Sequence, residues 1–348
     1  MRSGNKSLGL IILTVTVATL MGFAGGCAND RSVIDNAKEM HGTLEPAVMQ
    51  DQKLSQYLQQ VGDRIIDAAR EADREKVGPK AHFDSNQKDD WMFSNRMQFH
   101  LVNSKTLNAF TTGGEHMYIY NELLQQCATE DELAAVMAHE YAHVYGRHVQ
   151  KGTNRQLPLL IGGALAGGAA GYALGGKDNR LTGASAGAAV GAAGGQFANM
   201  GFTRKDEDEA DKYGFYFYSR AGWDPDHFGD FFQHMIDKGY DKTPEMLSDH
   251  PTLKSRVDAT KRRATELPPG ASEWQKPPIA DAKEFAQIKQ RAASLGKKLP
   301  DDRTLAGSQK LLQALPRSCV APVDPPDADQ AREELAAQAK ANQSKKKK

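Results

Sequence analysis

A net charge of either sign is missing from this chain: 44 basic and 44 acidic residues leave a formal charge of zero over 348 residues. No basic field gathers in its central part, which argues against nucleic acid as a partner. Cysteine is scarce, with Cys27, Cys127 and Cys319 the full set. The last two lie far apart in sequence; an oxidising compartment would permit a bridge, but the sequence assigns none. Long apolar runs are few. The stretches 157–176 and 181–202 are built from Ala and Gly, barely apolar enough to enter a bilayer.

The one strongly apolar run stands at the amino terminus. Arg2 and Lys6 precede it, it extends from Leu8 to about Ala24, and "GGCAND" follows. A basic start, an apolar core and small residues before a cleavage point form a signal peptide. Cys27 after Ala24-Gly25-Gly26 resembles a lipobox, with Ala24 where leucine is favoured, so lipidation of Cys27 is expected. An uncleaved anchor is the alternative, because the run approaches spanning length. Either one puts the rest of the chain outside the cytoplasm, at a membrane surface.

"AVMAHEYAHVYGRH" (135–148) contains His139, Glu140 and His143 as H-E-x-x-H. Thr129 and Glu132 form a capping-box pattern, acidic residues follow at the positive end, and the spacing predicts one helix over about 130–149. Residues four apart share a helix face, so His139 and His143 can present nitrogens to one ion. Glu140, beside the first, can take a proton from a water that the metal acidifies.

A third ligand must come from elsewhere. The metzincin pattern needs a histidine at position 149, where Val149 stands; Gly146 fits that pattern but His148 comes one residue early. A one-residue slip is too large for a bond of about 2 Å. The second candidate is "TRKDEDEADKYGFYFYSRAG" (203–222), a charged turn leading into an amphipathic helix. Glu207 and Asp211 share a face there, the first placed to bind an ion and the second to orient a ligand histidine. Asp208 and Glu209 are its rivals, although Glu209 points to another side.

With "NAFTTGGEHMYIYNELL", "EDEAD" and "SDHPTLKSR", the chain resembles the zinc metallopeptidase family that includes HtpX, the CAAX prenyl proteases and the periplasmic proteases BepA and LoiP. Four motifs occur in that family's order over about 45–265. The resemblance implies gluzincin chemistry with one zinc per chain, His139, His143 and Glu207 as ligands, and Glu140 as base. It implies an α+β, mostly helical, zincin-like domain with a small sheet whose edge strand flanks the H-E-x-x-H helix.

Residues 97–120 alternate and break at Gly113-Gly114, so two strands joined by a turn are expected, the second leading into the metal helix. The resemblance assigns substrate-strand pairing to Asn108, Ala109 and Phe110, by strand addition. His250 reads as a loop residue, as a group that approaches zinc and holds the enzyme inactive, or as an oxyanion stabiliser; Arg256 is a further candidate for charge stabilisation.

The expected organisation is a signal segment over 1–27, a peptidase domain over 28–265 and a Pro-rich linker with a helical, basic tail over 266–348. Within the domain, 31–75 reads as an amphipathic helix and 157–202 as a glycine-rich helical hairpin. Further helices are expected near 281–295 and 303–315. The expected function is a membrane-attached zinc endopeptidase of the cell envelope, facing the periplasm and acting on unfolded or membrane-associated proteins. The alternatives are an envelope assembly factor that binds client strands and rarely cuts, and a structural lipoprotein.

Overall fold

In the computed structural model the described residues are 30–78, 91–94, 96–152, 202–240, 251–297, 303–315 and 330–331. The signal segment with Cys27, the insert over 157–202 except its last residue, His250 and Cys319 lie outside them. Among the described residues no helix is long and apolar enough to cross a membrane.

Among the described residues the architecture is mostly helical with one small mixed sheet, consistent with an α+β zincin-like domain. The helix expected over 31–75 is two: α1 (Asp30–Leu44) and α2 (Gln52–Glu75). Pro46 lacks an N–H and restricts the residue before it, so Glu45–Ala47 tightens into a 3-10 turn. Asp51 then restarts the helix by accepting from the Leu54 amide at 3.1 Å. Leu54, Leu58, Val61, Ile65, Ala68 and Ala72 recur every three or four residues and are buried, which makes α2 the floor of the domain.

Residues 97–120 form three strands rather than two: β1 (Gln98–Val102), β2 (Ala109–Thr111) and β3 (His116–Tyr120). β3 is central, parallel to β1 and antiparallel to β2. After β1 the Asn103 amide bonds Ala47 instead of a strand, so the alternating pattern continues in sequence while the chain leaves the sheet. Gly113 makes the return with φ 71, and a Cβ there would strike the Val149 side chain. β3 does not lead directly into the metal-motif helix; the short helix α3 (Asn121–Gln126) intervenes.

Helix α4 (Glu130–Tyr145) carries the H-E-x-x-H motif and is buried on nearly every side. Thr129 caps it by accepting from the Glu132 amide, but the Glu132 carboxylate reaches Ala128 at 2.7 Å, one residue short of a reciprocal box. A reciprocal box starts the next helix, α5 (Arg204–Ala221), between Thr203 and Asp206. α5 lies along α4, and Gly214 is why they can come so close: a Cβ there would stand 2.9 Å from the His139 backbone.

Helices α6 (Asp230–Asp237), α7 (Leu253–Thr265), α8 (Ala282–Gly296) and α9 (Arg303–Ala314) complete the described chain. The Pro-rich stretch after 265 is docked. Buried Glu130 accepts from the amides of Ile279 (2.7 Å) and Ala280 (2.6 Å), from Tyr57 Oη and from Trp223 Nε1. The terminal helices pack back as well: Arg291 pairs with Asp51, and Tyr120 Oη donates to the Leu312 carbonyl. Cys127 is a buried free thiol, and burial pushes its pKa well up.

Candidate metal centre

One turn of α4 separates His139 from His143, and their Nε2 atoms face each other 3.1 Å apart. Glu207, in the first turn of α5, brings one carboxylate oxygen to 3.7 Å from His139 Nε2 and the other to 3.8 Å from His143 Nε2. All three side chains are fully buried, and their donor atoms lie within 4.8 Å of one another. Donors held by a tetrahedral zinc at 2.0–2.2 Å stand about 3.3–3.6 Å apart, so small side-chain adjustments suffice. The helix start also favours a carboxylate at Glu207.

Partners behind the donors set the ring orientations. His139 Nδ1 is 2.8 Å from Asp211 Oδ1, one turn after Glu207 on the same face of α5. Arg256 on α7 grips that carboxylate through Nε (2.8 Å) and Nη2 (2.5 Å). Burial by itself would raise Asp211, but Arg256 and then His139 hold it well below the usual carboxylate range. An ionised Asp211 takes the Nδ1 hydrogen of His139 and leaves the Nε2 lone pair directed at His143 and Glu207.

His148 performs the matching task for His143, their Nδ1 atoms 2.9 Å apart. Burial pushes His148 down to about 4, so the ring is neutral. With its own hydrogen on Nε2, 3.6 Å from Glu209, His148 Nδ1 accepts from His143 and frees His143 Nε2. Phe202 closes this side, stacked on His143 at 4.0 Å between centroids. The rivals to Glu207 face elsewhere: Glu209 meets His148 and Lys151, and Asp208 meets Arg263.

Glu140 is buried beside this cluster, and its Oε1 has no hydrogen-bond partner among the described residues. Burial and then the Glu207 carboxylate push Glu140 well above the usual carboxylate range, against the Arg256 charge and the Thr111 backbone amide. Two imidazole nitrogens and the Glu207 carboxylate, with the Glu140 carboxylate buried beside them, make a site that a dication fits, because the positive charge removes the repulsion.

Strand β2 lies alongside. The Tyr120 amide bonds Asn108 O and the Thr112 amide bonds His116 O. The alternation of an antiparallel ladder therefore turns the backbone groups of Ala109 and Thr111 to the outer edge, and the Thr111 amide meets Glu140. Among the described residues no strand pairs with that edge. Asn108 and Ala109 are buried; half-buried Phe110 stacks on Tyr118 at 4.8 Å.

His139, Glu140, His143, Glu207 and Asp211 thus meet at one place, with Asn108–Phe110 beside it. Cys27 and His250 lie outside the described residues. Arg256 is committed to Asp211. Sequence reasoning missed His148 as a support, Gly214 and Phe202. Gly214 was the detectable one: a glycine within an otherwise aromatic helix signals close approach of a backbone.

The model of peptidase family M48 matches residues 56–264. A beta-barrel assembly-enhancing protease of Yersinia pestis is 29% identical over 280 residues, which cover 78% of this chain and 49% of the relative. The protein of that name from Escherichia coli K12 is 29% identical over 234 residues, 64% of this chain and 41% of the relative. The mitochondrial metalloendopeptidase OMA1 of Saccharomyces cerevisiae is 28% identical over 172 residues, 47% and 46%. The chain thus spans about half the length of these curated relatives, or somewhat less.

Proposed function

Since the chain belongs to peptidase family M48, we propose that it is a zinc-dependent endopeptidase of the bacterial cell envelope. Its substrates are unfolded or misassembled proteins at a membrane surface. One observation carries this conclusion: His139, His143 and Glu207, from two helices, converge within 4.8 Å beside a buried carboxylate. His139 Nε2, His143 Nε2 and a Glu207 oxygen would hold one zinc. When bound, zinc supplies a Lewis acid that acidifies water and polarises the scissile carbonyl.

The chain's own residues do the rest. Glu140 accepts the proton of the attacking water at Oε1 and returns it to the leaving amine nitrogen. The Thr111 amide steadies the Glu140 carboxylate, and Asp211 and His148 keep the ligand rings in the required tautomers. The outer edge of β2, over Asn108–Phe110, takes an extended substrate backbone by strand addition, which needs an unfolded segment and reads little sequence.

Location rests on the amino-terminal pattern: Cys27 carries lipid and holds the catalytic domain at the membrane, facing the periplasm. His250 is retained as a candidate, with a loop residue, an inhibitory group and an oxyanion stabiliser as its alternative roles. The likeness to bacterial beta-barrel assembly-enhancing proteases supports an envelope setting.

Casein and a stably folded protein of similar size, incubated with the purified chain, test this. Casein should be cut and the folded protein spared; a chelator should stop cutting and added zinc restore it. Cutting that persists unchanged after exhaustive chelation would refute the proposal. Asp211→Asn should weaken zinc about 10–100-fold, measured by competition with a chromophoric chelator. The amide keeps the shape but loses the charge that orders His139 and Arg256.

A further inference from the structure

We propose that His41, His100 and His116 form a second divalent-metal site, separate from the first and suited to a first-row transition ion such as zinc. The strand register creates it. β1 pairs in parallel with β3 as Gln98↔His116 and His100↔Tyr118, so His100 and His116 sit diagonally on one face of the sheet. That face is opposite Phe99, which abuts Gly62 of α2. Helix α1 crosses the histidine face and lays His41 over both rings, with centroids 4.5 Å from His100 and 4.3 Å from His116.

The donor geometry parallels that of the first centre. His100 Nε2 and His116 Nδ1 face each other at 3.0 Å, and donor atoms from the three rings all lie within 4.8 Å. Ligands of a tetrahedral ion stand about 3.3–3.6 Å apart, so the approach left to make belongs mainly to His41. His41 now stacks on His116 with 5° between the planes, and a lone pair in the ring plane requires it to turn out of that stack. Its half-buried position leaves room to turn, and the half-buried His100 beside it leaves a path for an ion and a water.

The chemistry narrows the ion. Three imidazoles with neither thiolate nor carboxylate select zinc, copper or nickel over magnesium or calcium. The Tyr118 hydroxyl, 2.9 Å from His41 Nδ1, is the outer hydrogen-bond partner that a ligand histidine uses to fix its ring. A bound ion would fasten α1, which follows the amino-terminal segment, to the sheet that carries the β2 edge.

The test is metal content and thermal stability of the purified full chain after stripping, zinc loading and dialysis. Wild type should hold two zinc ions, one per cluster. His41→Gln should hold one, cut casein at the wild-type rate and lose part of the zinc-dependent rise in Tm. Glu207→Ala should also keep one, the ion of the histidine trio. With copper as probe in Glu207→Ala, the paramagnetic spectrum should show coupling to three nitrogens, a signal that adding His41→Gln removes. Equal zinc content in wild type and His41→Gln, with unchanged spectra, would overturn the proposal. If instead the catalytic reading fails, wild type holds one ion that His41→Gln loses and Glu207→Ala keeps.

Discussion

Glu140→Gln is expected to bind zinc as wild type does and to cut casein at least about 10²–10⁴ times more slowly. The amide has the carboxylate's shape and cannot accept the proton at Oε1, the atom that lacks a hydrogen-bond partner among the described residues. Folding should not suffer, because burial and then the Glu207 carboxylate disfavour a charge at Glu140, and the amide carries none. Zinc analysis beside a casein digest reads both halves of this expectation. The same variant separates cutting from binding: the glutamine oxygen can still accept from the Thr111 amide on the β2 edge, so client association should persist. A variant that fully supports the cellular role would make the chain an assembly factor.

Glu207→Ala should lose zinc from the first centre and abolish cleavage. Loss of an outer hydrogen-bond partner weakens a metal site about 10–100-fold, and loss of a donor should exceed about 100-fold. Glu209→Ala is the informative comparison. Its carboxylate lies by His148 and Lys151, so it should retain the ion with a modest drop in affinity. A competition titration of the two variants ranks them, and equal losses would mean that overall acidity, not Glu207, holds the ion.

Much of this geometry was legible because it is local. H-E-x-x-H and the Glu207–Asp211 pair are four-residue spacings on helices, and helical periodicity states which side chains share a face. The caps at Thr129 and Thr203 are equally local. Three features resisted for tertiary reasons. The 97–120 alternation is real, but the chain leaves the sheet at Asn103 because its amide finds Ala47, a partner far away in sequence. Residues 31–75 have a continuous apolar stripe, and Pro46 breaks the helix without interrupting it. The Pro-rich stretch after 265 has the composition of a linker, yet a buried carboxylate at the start of α4 collects its amides.

His148 shows a different limit. Judged as a third ligand, it stands one residue out of place; in the fold that offset directs it to the far nitrogen of His143. The trio of His41, His100 and His116 was invisible for the same kind of reason. Only a parallel register between strands and a helix laid across them bring these rings together.

The decisive measurement is an anomalous difference map at the zinc absorption edge, from crystals of the zinc-loaded chain. It should show a peak about 2.0–2.2 Å from His139 Nε2, His143 Nε2 and a Glu207 oxygen. Active, zinc-loaded protein with no density among those three side chains would contradict the account.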